Sequence, residues 1–273
     1  MTDCFTRYGG QKEKRARYGG AASLSSGAKG FRTFVLLSVI FSLQAELSAR
    51  GDAKMKRVYE ELGKIYPKEA ETENWKITRV KVDKHRAAMD SIKFASDGFH
   101  YPTYPGTFVV LGKKTHQEIV MSDSNMEKVS NLDVIENAHG NVLIAGLGLG
   151  MILIPILKKK EVKHVVVVEK EKEVIDLVLP YLMKYLKKHG LDKKLGEVMN
   201  KDIHEVSFDH KNGFKWNTIY FDIWSNICTD NLKEIRALKK RFRKGRAKGC
   251  WVGAWMEDEL KYQLRRKTRY NLY

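Results

Sequence analysis

The sequence predicts an α/β protein: a doubly wound, mostly parallel Rossmann-like sheet, shortened at its carboxyl end, with a small β element before it. Three observations carry this. From Asn141 the chain reads Asn-Val-Leu-Ile-Ala-Gly-Leu-Gly-Leu-Gly, an apolar run of strand length followed by three alternating glycines. A second apolar run, the four valines 165–168, ends on Glu169, about 20 residues past Gly146, the interval that separates a glycine turn from a ribose-binding acid. Downstream, strand-like runs alternate with helix-like stretches, the pattern of parallel strands joined by crossover helices.

Residues 1–54 differ in composition from the rest and read as a flexible extension. Glycine, serine, alanine and basic residues dominate, and Arg-Tyr-Gly-Gly occurs at 7–10 and again at 17–20. Such a stretch buries little apolar surface, although tyrosine and arginine together can stack on and attract RNA. The apolar run 34–43 is shorter than the roughly 20 residues a membrane span needs. It has the length of a signal-peptide core, but no Ala-x-Ala site follows. A packed helix and a translation start at Met55 are the other readings. No stable membrane span is expected.

Residues 55–139 read as a helix followed by a small β element. A short helix is expected over 56–65, ended by Pro67, and alternation predicts a strand over 75–82. Prolines and glycines mark 98–106 as turns, and strand-like runs at 107–111 and 117–121 follow. One helix is expected over 126–138, with Met126, Val129, Leu132, Val134 and Ile135 as its apolar side and Ser122, Asp123 or Ser124 as its cap.

Residues 140–273 form the expected Rossmann-like domain. Pro155 stands just after the glycines, so the first crossover helix either starts late or has an irregular first turn. The next helix is expected over 171–179, with Pro180 opening a new segment. Strands are expected at 197–200, 218–223 and 250–255, and helices at 231–242 and 257–270. In such sheets ligands sit beyond the carboxyl ends of the strands. Gly146, Glu169, Asp202, Asp222 and Trp255 or Met256 all fall there.

The net charge of +17 attracts anions, nucleic acid included, and says nothing about fold. Three widely spaced cysteines and no Cys-x-x-Cys argue against a disulfide framework and a zinc site and favour a reducing, cytoplasmic setting. No metal is expected, and the eight histidines receive no role.

The glycine pattern Gly-Leu-Gly-Leu-Gly is not Gly-x-Gly-x-x-Gly, so it suits a ligand without a pyrophosphate. With these strand-end residues, the chain resembles the class I S-adenosylmethionine-dependent methyltransferase superfamily, and within it the spermidine-synthase-like branch, over roughly 107–255. The resemblance implies S-adenosylmethionine, or its decarboxylated form, as cofactor. Gly146, Leu147, Gly148 and Gly150 would lie against its amino-acid part, Glu169 on the ribose and Asp202 with Ile203 at the adenine. Asp222 would face the reacting centre as the catalytic residue. The β element before the sheet matches the hairpin of spermidine synthases. Two departures stand. The glycine loop carries Leu147 and Leu149 where aminopropyltransferases have an aspartate, and Asp222 is followed by Ile223, Trp224, Ser225 and Asn226 rather than a second acid. After Trp255 only about one helix remains, so the sheet is either shortened or completed by a partner, for example a second copy. Methyl transfer, aminopropyl transfer and a non-catalytic binding protein on the same fold remain open.

The acceptor is a small molecule or a nucleic acid. Lys233, Arg236, Lys239, Lys240, Arg241, Arg243, Lys244, Arg246 and Lys248, with Arg265, Arg266, Lys267 and Arg269, form a basic carboxyl half. Such a run is either a solvated face or an electrostatic footprint for nucleic acid.

Overall fold

Five parallel strands form the centre of the computed structural model, which describes residues 5–6, 58–96, 101, 103–115, 118–206 and 214–270. Outside these fall most of the expected amino-terminal extension, including the apolar run 34–43. The strands are labelled in chain order. The central sheet comprises β6 (Gly140–Ala145), β7 (Val162–Glu169), β8 (Leu195–Asn200), β9 (Trp216–Phe221) and β11 (Arg246–Ala254), in the order β11-β9-β6-β7-β8. All adjacent pairs are parallel. The first strand of the unit is central, the next two extend to one side and the last two to the other. This is the doubly wound arrangement, and its direction reverses between β6 and β9. Continuous apolar runs suit strands covered on both faces: Val142, Leu143, Ile144 and Ala145 of β6 and Ile219, Tyr220 and Phe221 of β9 are all buried.

A second, four-stranded antiparallel sheet precedes it: β2 (Ala70–Glu71), β3 (Trp75–Val82), β4 (Gly106–Lys113) and β5 (Glu118–Ser122), in chain order. β3 keeps the expected bounds, β4 is longer than expected, and β5 is displaced by one residue. β1 (Phe5–Thr6) pairs antiparallel with β10 (Asn226–Ile227), Phe5 opposite Ile227. β1 and the elements from Tyr59 onward fall in one unit. Cys228, just past β10, is disulfide-bonded, and Cys250 is a free thiol. The expectation against a disulfide framework thus meets one bonded cysteine, Cys228, whose partner lies outside the described residues. No helix among the described residues is long and apolar enough to cross a membrane.

The helices differ from expectation at four points. Between β3 and β4 lies α1 (Lys84–Ser96), a helix without a strong apolar stripe. Of the expected helix over 56–65, residues 56–57 lie outside the described residues, Val58 is helical, and a 3-10 turn follows at Leu62–Lys64. The expected helix over 126–138 is two short ones, α2 (Asn125–Ser130) and α3 (Leu132–Asn137). Asn131, at the break, is fully buried. Its amide donates to the Glu127 carbonyl at 2.9 Å and accepts the Tyr220 hydroxyl of β9 at 2.7 Å. Ser124 stands at the N-cap position without a side-chain capping bond, and Asp123 instead accepts from the Val109 amide at 2.7 Å, tying α2's approach to β4.

The fourth difference is at Pro180, which does not end a helix: α5 (Lys172–Lys188) runs through it. Its apolar side, Val174, Ile175, Leu177, Val178, Leu182 and Leu186, is buried. Burial of several such side chains, at about 1.5–3 kcal/mol each, outweighs the roughly 3 kcal/mol of an interior proline. Elsewhere α4 (Leu153–Lys158) starts late after the glycines, as Pro155 suggested, and α6 (Asn231–Arg241) and α7 (Glu257–Tyr270) follow.

Asn131→Leu should cost about 1–3 kcal/mol, because it strands the Tyr220 hydroxyl in the core. Adding Tyr220→Phe should restore part of that loss in urea denaturation, since both polar partners are then gone.

Candidate functional site

Parallel register brings the ends of β6, β7 and β9 level. Ala145 lies opposite Val168 on one side and Phe221 on the other. Beyond these ends the Gly146 amide donates to the Val168 carbonyl, and the Asp222 amide donates to the Ala145 carbonyl, each at 2.8 Å. The Asp222 carbonyl then occupies the space beside Gly146, where a side-chain carbon would sit 2.1 Å from it. With φ at +100°, Gly146 also needs the conformational freedom only glycine has. Gly148, at φ +50°, would drive a side chain to 2.2 Å from the Met121 sulfur of β5. The glycines are therefore set by close approach of backbone and neighbouring layers. The loop is also held from outside. The Leu149 amide lies 3.2 Å from the Met121 sulfur, and the Tyr66 hydroxyl donates to the Leu149 carbonyl at 2.7 Å.

A cleft of about 350 Å³ opens over this point, within the size range of small-molecule pockets. Its lining includes Gly146, Leu147, Gly148, Glu169, Asp202, Ile203 and Asp222. Every sequence-derived site residue except Gly150 is thus brought together. Gly150 faces Leu182 of α5 instead, where a side-chain carbon would stand 2.6 Å from a methyl group. Trp255 and Met256 lie outside the lining. The Trp255 indole is buried and donates to Ser130 at 3.0 Å.

Glu169 ends β7 and turns back onto the glycine loop. Its two oxygens accept the Leu147 amide at 2.8 Å and the Glu171 amide at 2.9 Å. It has no ion-pair partner among the described residues. Burial raises its pKa, opposed by those amide bonds. Asp202 is used differently. It caps the 3-10 turn Ile203–Glu205 by accepting the His204 amide at 2.9 Å, and it pairs with Lys170 at 3.0 Å. The His204 amide and then Lys170 hold its carboxyl below the usual range.

Three residues without an assigned role also line the cleft: His204, Trp224 and Glu234. Glu234 of α6 accepts the Trp224 indole N–H at 2.6 Å and stands 2.8 Å from His204 Nε2. His204 could have been suspected from its place two residues past Asp202, at a strand's carboxyl end. Glu234 carries no comparable signal. The antiparallel sheet closes the other side with Trp75, Leu111, Lys113, Val120 and Met121.

No family model and no curated protein matches the sequence. Solved structures similar to the chain include a spermidine synthase from Thermotoga maritima, at 17% identity, covering 55% of this chain and 45% of that one, with a TM-score of 0.33. They also include the CcbJ methyltransferase from Streptomyces caelestis, at 14% identity, 45% of each chain and a TM-score of 0.33. A third is the Trypanosoma brucei PRMT1 enzyme-prozyme complex with AdoHcy, at 15% identity, 46% of this chain, 37% of that one and a TM-score of 0.32. The chain spans less than half of the length of each of these three structures. The assignment of a doubly wound α/β fold rests on the strand order and register.

Glu169 sets a pH dependence. Its folded pKa lies above the ordinary 4.5, so the folded state holds its proton to higher pH than the unfolded chain does. Its contribution to stability is therefore full below 4.5 and lost as pH rises through the raised value. Denaturant melts across this range should show wild type losing stability relative to Glu169→Gln as pH rises. A constant difference between the two would contradict the assigned direction.

Proposed function

We propose that the cleft binds S-adenosylmethionine or its decarboxylated form, and that the protein is a methyltransferase-like enzyme. The observation that supports this best is the meeting of the glycine loop, Glu169 and Asp222 at the reversal point of the sheet. A dinucleotide's pyrophosphate would call for a different glycine spacing. Glu169 fits a ribose because a carboxylate has about four lone-pair directions and the backbone amides of Leu147, Gly148 and Glu171 do not use them all. Ribose hydroxyls can donate to the remainder. When bound, the cofactor supplies an electrophilic carbon next to its sulfonium. Asp222, at the end of β9, orients the cofactor's amine or takes the proton that an acceptor nucleophile gives up.

Aminopropyl transfer is the alternative for the same cleft, supported by the antiparallel sheet that precedes the parallel one. Against it stands the single acid after β9, since polyamines are cations that carboxylates hold. Calorimetry with S-adenosylmethionine, its decarboxylated form and S-adenosylhomocysteine tests these readings. Methyl transfer predicts binding of the first and third, aminopropyl transfer predicts selective binding of the second, and no binding of any overturns both. Glu169→Ala should weaken the bound ligand by about 1.5–3 kcal/mol, and wild-type affinity should fall as pH drops through the Glu169 value.

A basic face supports a nucleic-acid acceptor or partner. Lys233, Arg236, Lys240, Arg243, Lys244 and Lys248 are exposed and have no ion-pair partner among the described residues. Lys239, by contrast, is paired with Glu257. Filter binding to RNA and duplex DNA at several salt concentrations should give a steep decline, each phosphate contact adding about −0.9 to the log–log slope on duplex. A shallow slope and no binding at physiological salt would leave a small-molecule acceptor.

A further inference from the structure

We propose that His204 reads the polar edge of a purine base in the cleft and that Glu234 is its positioning residue. This rests on the adenosyl ligand proposed above and names the group that selects the base.

The argument begins with proton bookkeeping. The Trp224 indole N–H can only donate, and an ionised carboxylate can only accept. Glu234 takes the indole on one oxygen at 2.6 Å and faces His204 Nε2 with the other at 2.8 Å. The imidazole must therefore present Nε2–H to Glu234. In the neutral ring Nδ1 is then a bare acceptor, and it has no hydrogen-bond partner among the described residues. The backbone of the same residue is fixed by the Asp202 carboxylate. His204 is thus held at both ends, with one lone pair left over at the wall of the cleft.

The other acceptor on that wall is Asp202, which takes the His204 amide on one oxygen and Lys170 on the other, and the H204F variant below separates its contribution from that of His204. A flat apolar surface lies beside His204. Trp224 is buried, and its ring has no aromatic or cationic partner among the described residues. The other tryptophan lining the cleft, Trp75, has Lys113 over its ring at 5.2 Å. Ile203, also buried, adds apolar surface at the same end. A planar base fits against such a surface. Adenine's 6-amino group would donate to Nδ1, whereas hypoxanthine would set its O6 lone pairs against that nitrogen.

The test is calorimetry on the full chain with S-adenosylhomocysteine and its 6-deaminated, inosyl analogue, with folding of each variant checked by melting. Wild type should prefer the adenosyl ligand by roughly tenfold or more, the scale of an unpaired polar group at a binding site. H204F keeps a flat ring without an acceptor and should bind the two ligands about equally. E234Q is sharper. Its amide oxygen must still take the Trp224 indole, so its N–H₂ turns to His204 Nε2 and forces the proton onto Nδ1. The preference should then shift toward the inosyl ligand, which a merely structural role for Glu234 would not produce. Equal binding by wild type, or an H204F protein that keeps the adenosyl preference, would overturn the proposal and leave the adenosyl reading intact. Failure of wild type to bind either ligand would overturn the adenosyl reading, and this proposal with it.

Discussion

The carbonyl of Asp222 beside the α-carbon of Gly146 is the contact on which the site depends. Two parallel strands, β6 and β9, end level at Ala145 and Phe221, and the chain leaves them in opposite directions. Space between the departing chains exists only if one turns without a side chain. Gly146 does so, with room for nothing larger before the Asp222 carbonyl. The same turn sends Leu147 across the end of β7, where its amide meets Glu169. A β-carbon at Gly146 would push the loop off the strand ends, removing an amide from Glu169 and shifting the base of the cleft together. Packing, hydrogen bonding and the candidate chemistry thus share one steric constraint.

The antiparallel sheet belongs to the site as much as the parallel one does. Met121 lies against Gly148 and Leu149, and Tyr66 holds the Leu149 carbonyl. On the far side Asn74 gives its backbone and side-chain N–H groups to the Glu173 carboxylate at the start of α5, at 2.9 and 2.7 Å. The antiparallel sheet is therefore tied to the parallel unit both at the glycine loop and at α5, and a ligand entering the cleft meets a preformed floor. Fixing groups before binding lowers the ordering cost of association.

Much of this was legible in the sequence, and the exceptions have physical reasons. β3 and α7 have the bounds read from alternation and composition, because their signals are local. α1 was missed because its sequence offers little apolar periodicity: Ala87 is buried while Met89 and Ile92 are exposed. The break at Asn131 depends on a hydroxyl that lies 89 positions away in β9, and no local pattern encodes it. The same holds for the cleft. Gly146, Glu169, Asp202 and Asp222 stand at predicted strand ends, so topology alone collects them. His204, Trp224 and Glu234 are collected by a shared carboxylate on α6, which only the fold reveals.

The acids of the unit separate by what holds them. Asp202 is occupied by a cap and a lysine. Glu173 is tied to Asn74 across the two sheets. Asp123 is buried, but it accepts the Val109 amide and lies 4.0 Å from Lys128. Each of these is explained by the fold itself. Glu169 is buried at the edge of a cleft with backbone amides as its partners and no cation to offset its charge. The neighbouring lysine, Lys170, is turned to Asp202 instead. Desolvating a carboxylate costs free energy that neutral backbone amides offset only in part. A fold that needed only to be stable would gain by replacing such a group or pairing it with a cation. Under the ligand reading proposed above, donors on the ligand would supply what the backbone amides leave unmet. Neutral hydroxyls on adjacent ring carbons meet that requirement, because they donate without bringing a charge of their own into the cleft.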